Sequence, residues 1–248
     1  MAQTDSVYQE RGFAAFLVAR VAAVLAVQIQ AVVVAWQVYE LTNDPMSLAY
    51  VGLAQFIPML ILLLPAGDLI DRFDRKKILV ISWVVEAFCS LGLLWATWTQ
   101  ASMGAFYAVL VVYGAARAFT GPALQSLLPQ VVRREKLAAA IAANSMIMRG
   151  SAIGGPLFGG ALYALGGGEL TYTLCLVFFL LAVVLMWRVP VDYAEPIPPS
   201  TQTAVERFTA GIRFIRYNPI ILGTISLDLF AVLLGGVIAL LPIYAKEV

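Results

Sequence analysis

Gly67-Asp68-Leu69-Ile70-Asp71-Arg72-Phe73-Asp74-Arg75-Lys76-Lys77 stands between two long apolar runs. A surplus of cations beside an apolar run is common where a chain turns back into a membrane. That rule accounts for Arg72, Arg75, Lys76 and Lys77. It does not account for Asp68, Asp71 and Asp74 interleaved with them. Alternating charge in so short a connection predicts a cluster of ion pairs that ties helices together in one state and frees them in another. Gly67 is expected to let two helix ends approach closely.

The flanks carry the same pattern outward. The 248-residue chain is 61% hydrophobic and only 12% charged. A soluble domain has about 25% charge, so the excess apolar surface must face lipid. A spanning helix needs about 20 apolar residues. Seven runs qualify: 13–39, 47–67, 78–98, 102–124, 138–165, 170–189 and 219–244. The first is too long for a signal peptide and carries Arg20, so it is expected to be an uncleaved span.

The basic residues orient the map. With a cytoplasmic N-terminus, the inside segments hold Arg11, Arg72, Arg75, Lys76, Lys77, Arg133, Arg134, Lys136, Arg188, Arg207, Arg213 and Arg216. The outside segments hold only Lys246, and Arg20, Arg117 and Arg149 fall within spans. This asymmetry predicts a multi-pass protein of the cell (inner) membrane with its N-terminus inside.

Residues 1–189 therefore read as a six-helix bundle, 190–218 as a cytoplasmic linker and 219–248 as a seventh helix. Pro190, Pro196, Pro198 and Pro199 make the linker stiff at its start, and 203–217 has the apolar spacing of an amphipathic helix. A lone seventh helix has no bundle of its own, so the sequence reads as cut short.

Three motifs now carry a resemblance. Gly67, Leu69, Asp71, Arg72, Arg75 and Lys76 match in register the loop signature of the major facilitator superfamily, with Asp74 where the signature has Gly. Arg117 and Gly121 in span four resemble that superfamily's fourth-helix pattern, with Thr120 where many members carry Gln. Gly155, Pro156, Gly159 and Gly160 in span five resemble its antiporter signature, with Ser151 for the first Gly. Ala19-Arg20, Trp36-Gln37-Val38-Tyr39, Leu41-Thr42 and Leu128-Pro129 are similar to one branch, the transmembrane secretion effectors, which includes siderophore export.

The resemblance implies an all-α polytopic fold. Its N-terminal bundle has 3+3 inverted repeats, and the seventh helix opens a second bundle. It also implies proton-coupled efflux of drug- or siderophore-like molecules by alternating access. Asp71 and Arg75 would gate, with Gly67, Asp68, Arg72, Asp74 and Lys76 around them. Arg117 and Gly121 would couple, and span five would bend at Pro156.

The polar residues inside the spans add candidates from the residues themselves. Arg20, Gln28, Gln30 and Gln37 are read as one broad polar side of span one, a cavity wall or a set of helix-to-helix hydrogen bonds. Asn144 and Arg149 are read as further cavity lining. With no histidine in the chain, proton chemistry falls to carboxylates. Glu86 and Asp228 are the deepest, and either is expected to carry a proton or to pair with an arginine.

No cofactor and no metal are expected, and Cys89 and Cys175 read as buried thiols. The expected partners are a small-molecule substrate, protons and the lipid bilayer, without nucleic acid. A full-length chain is expected to act as a monomer. A facilitator or uptake symporter on the same fold, and a non-transporting membrane fragment, remain the alternatives. A membrane enzyme lacks any cluster of catalytic groups.

Overall fold

A computed structural model describes residues 10–191, 209 and 213–234. The chain divides into two compact units, 1–197 and 198–248. The first contains α1 (Phe13–Thr42), α2 (Pro45–Arg72), α3 (Arg75–Trp98), α4 (Met103–Val131) and α5 (Leu137–Arg188). Each is long and apolar enough to cross a membrane. Among the described residues the second unit contributes α6 (Pro219–Leu234). The rest of the expected seventh span, and most of the expected linker helix 203–217, lie outside the described residues.

α5 is two spans written as one helix. Its 52 residues would reach about 78 Å if straight, more than twice the ~30 Å hydrocarbon core. Helical geometry fails at Gly166 and Gly167, where Gly167 has φ 60° and ψ −159°. That conformation is open to glycine and strained for residues with a Cβ. The chain reverses there. Lys136, just before α5, reaches Glu10, and Pro190, just after it, lies against Gly12. Both ends of α5 therefore meet at the start of α1. The non-helical backbone lies at this glycine pair, while Pro156 sits in continuous helix.

Packing follows a repeat. α1 runs along α5, α2 runs along α4, and α3 is held between α4 and α5. The first limb of α5 serves α1 as α2 serves α4, which is the 3+3 arrangement of inverted repeats. Glycine permits both approaches. A Cβ on Gly155 would lie 2.4 Å from Gln28 Cβ, and one on Gly114 would lie 2.2 Å from the Gln55 carbonyl oxygen.

Two apolar cores fill the unit. One gathers Phe13, Phe16, Trp83, Leu127, Phe179 and Met186 toward the α1 start. The other gathers Val33, Val38, Leu93, Phe106 and Tyr172 toward the α1 end. Large apolar side chains of α2, including Leu53, Phe56, Leu60 and Ile61, remain exposed, as lipid or protein contact requires.

The connection read first from the sequence is mostly helix. α2 continues through Asp68 and Asp71 to Arg72, and α3 begins at Arg75, leaving Phe73 and Asp74 between them. Asp74 caps α3 by accepting from the Lys76 and Lys77 backbone N–H groups, satisfying donors that a helix start leaves open. The aspartate that departs from the family signature thus has a local structural use. Gly67 has no neighbour within 4 Å of where a Cβ would stand, so the expected close approach there is not made.

Candidate functional site

One end of the unit collects charge. Arg72 pairs with Asp68 at 2.8 Å within α2. Two cations of this stretch also tie across helices through backbone carbonyls. Arg75 Nη1 donates to the Ser126 oxygen of α4 at 3.2 Å. Lys76 Nζ donates to the oxygens of Trp187 and Val189 at 2.9 and 2.6 Å, closing the end of α5. Asp71 sits half-buried on the last turn of α2.

A second cluster went unread in the sequence. Glu10 Oε1 accepts from Arg133 Nε and Nη2 at 2.9 and 2.7 Å, and from Lys136 Nζ at 2.9 Å. These hydrogen bonds, Arg133's first, hold the Glu10 carboxyl below its usual range. The contact joins residues 123 positions apart, and no periodicity announces such a pair.

Midway along the bundle, α1, α2, α4 and α5 line a partly open cavity of about 430 Å³, with Trp83 of α3 in its wall. This is within the usual range for small-molecule sites, roughly 300–1,000 Å³. Arg20, Gln28, Arg117, Thr120 and Gly121 line it together with Met59, Leu63, Gln125 and Met148. The apolar lining and Trp83 were not singled out from the sequence, because a Met or Trp in a span reads as core.

The polar side of α1 divides. Arg20 and Gln28 face the cavity, whereas Gln30 and Gln37 do not line it. Ser90 donates to Gln30 Oε1 at 2.6 Å. Tyr172 donates to Gln37 Oε1 at 2.8 Å, and Gln37 Nε2 donates to Thr97 Oγ1 at 2.9 Å. Gln30 and Gln37 are thus braces between helices, and the reading of all four residues as one cavity wall is corrected. Gln28 and Gln30 lie about 160° apart around the helix, so one cavity cannot claim both.

Beside the cavity, Glu86 is fully buried. The Thr120 hydroxyl, itself in the lining, donates to Glu86 Oε1 at 2.8 Å. Glu86 Oε2 has no hydrogen-bond partner. Arg117, one turn before Thr120, places its guanidinium 5.9 Å above the Tyr113 ring. Arg149 is exposed and Asn144 half-buried, and neither lines this cavity, contrary to the expected lining role. Asp228 lies in the second unit, on α6.

In the antiporter-like stretch, Gly155 meets Gln28, and Gly159 meets Ile29 and Val32. Gly160 has nothing within 4 Å of a Cβ, and Pro156 is exposed.

Known proteins agree with this architecture. The chain is 25% identical over 244 residues to the enterobactin exporter EntS of Shigella dysenteriae serotype 1 (strain Sd197), covering 95% of this chain and 56% of that protein. The enterobactin exporter of Escherichia coli O1:K1 / APEC shows the same identity and coverage. The chain thus spans little more than half the length of these curated relatives. The crystal structure of the POT family transporter PepTSo matches with a TM-score of 0.65 at 13% identity, over 77% of this chain and 40% of that one. At that identity the likeness speaks for the fold alone. The family profile of the Major Facilitator Superfamily matches residues 16–248, nearly the whole sequence, and the chain belongs to that superfamily.

Proposed function

We propose that the protein exports small amphipathic molecules, drug- or siderophore-like, across the inner membrane in exchange for protons. Residues 1–189 form its N-terminal bundle, with the N-terminus on the cytoplasmic side. Residues 190–218 link it to a second bundle that begins with 219–248. The relatives named as enterobactin exporters support export, and the scarcity of positive charge outside, Lys246 alone, supports the orientation.

The observation that carries proton coupling is Glu86. An ionised carboxylate enclosed by protein costs several kcal/mol unless its oxygens are paired. Glu86 has one oxygen held by Thr120 and the other unpaired. That arrangement suits a group that takes up and releases a proton as the cavity changes sides. Thr120 links it to the lining, and Arg117 stands one turn before Thr120 in the same lining. The Asp68–Lys76 segment and the close α1–α5 contact at Gly155 would carry the movement to the cytoplasmic end.

The test uses inside-out vesicles holding the gene's complete reading frame, with an acidified lumen and a fluorescent amphipath outside. Uptake should collapse with a protonophore, and Glu86→Gln should lower it at least about tenfold. Uptake that ignores the proton gradient and Glu86→Gln alike would make the protein a facilitator.

A further inference from the structure

The cavity is cationic, and one of its charges is unanswered. Arg20 is 8% exposed, lies in the lining, and buries its Nε without a hydrogen-bond partner. Among the described residues it makes no ion pair. No Asp or Glu is among the lining residues, whose other charge is Arg117. The second arginine is partly answered by the Tyr113 ring. Arg20 has no such ring contact.

Its neighbourhood repeats the shortage of acceptors. Trp83 is fully buried in the same wall, and its Nε1–H has no acceptor. Two buried N–H donors at one cavity are therefore without partners. Buried polar groups are nearly always hydrogen-bonded, and an unpaired arginine in a membrane span is costly. The Arg20 side chain itself reaches the lining, so a molecule bound there can answer its charge. The rest of the lining states what that molecule is. Met59, Leu63, Val24, Val27 and Met148 offer apolar, polarizable contact, and Gln28 and Gln125 offer a few neutral hydrogen bonds.

We propose that this cavity takes an anionic amphipath, with a carboxylate or phenolate oxygen on Arg20 and an apolar, aromatic body against Trp83, Met59 and Met148. This rests on reading the cavity as the substrate site, and it adds the sign of the substrate's charge. A guanidinium presents N–H groups in a planar fork that matches two oxygens of one carboxylate. Arg20 would thus decide which molecules are accepted, while Glu86, set back behind Thr120, remains free for the proton. An anion's headgroup chemistry is shared by acidic lipids, so the cargo must be told from the bilayer.

The experiment measures binding to the complete reading frame in nanodiscs of pure phosphatidylcholine. The probes are 2-naphthoate, 2-naphthamide and 2-naphthylmethylammonium, one aromatic body with charge −1, 0 and +1. A hydrogen bond to a charged group corresponds to about 10- to 100-fold in affinity. Naphthoate should bind tighter than the amide by about that factor, and the ammonium should bind weakest. Arg20→Gln should bring naphthoate down close to the amide's affinity and lower the amide's own affinity far less. Arg20→Lys should keep part of the preference, which also shows that the site survives substitution.

Equal binding of all three probes, unchanged by Arg20→Gln, would overturn the proposal and leave proton-coupled export standing. A loss for all three in Arg20→Gln would make Arg20 a packing residue and overturn it too. No binding of any probe would remove the substrate-cavity reading along with it. Discs containing phosphatidylglycerol supply the last arm. Displacement of naphthoate by that lipid, lost in Arg20→Gln, would assign the site to a headgroup and overturn the cargo assignment.

Discussion

The two halves of α1 carry the same kinds of residue and use them differently. Toward the start, Arg20 and Gln28 open onto a cavity. Toward the end, Gln30 and Gln37 are tied to Ser90, Thr97 and Tyr172 on neighbouring helices. The division falls at Gln28 and Ile29, where Gly155 and Gly159 close on α1. At Gly159 the α5 backbone lies against the Ile29 backbone, and farther on Gly168 lies against the Gln37 amide. What separates a binding wall from a brace is thus what each side chain faces, a cavity or a hydrogen-bonding partner, and not the polarity of α1 itself.

Breaking this division should be most costly at the glycines. Gly155→Ala puts a Cβ 2.4 Å from Gln28 Cβ, so α1 and α5 must part. Overpacking of this kind costs about 1–3 kcal/mol, read as a lower unfolding temperature in detergent. Gly160→Ala, one turn on with open space around it, should be neutral or slightly stabilising, because Ala favours helix over Gly. Equal losses for the two would mean that the α1–α5 approach is not what Gly155 is for. Next in size, Gln37→Leu leaves the Tyr172 and Thr97 hydroxyls without their shared partner. Interhelical hydrogen bonds in membranes average about 0.6 kcal/mol, with a maximum of about 1.7, so the loss should fall in that range. Transport per folded molecule should stay unchanged.

Much of this was legible in the sequence, and the rest was hidden for physical reasons. Long apolar runs and one-sided basic charge gave the spans of the first unit, because lipid leaves the chain few choices. The motifs at 67–77 and 155–160 pointed to the superfamily that the profile match shows. The split of α1 was half visible, since Gln28 and Gln30 fall on nearly opposite faces at 100° per residue. Reading both as one side overlooked that angle. Gly67 shows the opposite error. A small residue at a helix end permits close approach, but only the neighbour decides whether it happens, and at Gly67 none comes near. The Glu10 cluster and Trp83's place in the cavity wall depend on distant chain segments meeting. A single sequence holds no local sign of either.

At the charged end, pH separates a tie from mere surface charge. Glu10 is held below its usual value of 4.5 by Arg133 and then Lys136. A carboxyl whose pKa is lower folded than unfolded adds stability above its unfolded value, and loses it as pH falls through the lowered folded value. Wild type should therefore unfold at a higher temperature than Glu10→Gln near neutrality. The gap should close on acidification below about pH 4.5. A gap of constant size from pH 7 to pH 3 would show that Glu10 acts by packing and not by charge.

The smallest stability change is expected where the comparison is sharpest. Gln28 packs its stem against Gly155 and offers its amide to the cavity. It appears in no side-chain tie of the kind that holds Gln30 or Gln37. Gln28→Leu keeps the stem, and the site already holds Val24, Val27 and Met59. Unfolding temperature should move little, within the roughly 0.5 kcal/mol typical of sites outside special contacts, while the preference among cargoes shifts toward less polar ones. Gln37→Leu should show the reverse, with lower stability and unchanged preference. If both substitutions lowered stability alike and neither altered preference, α1 would be a brace along its whole length. The cavity would then have to be read from α2 and α4 instead.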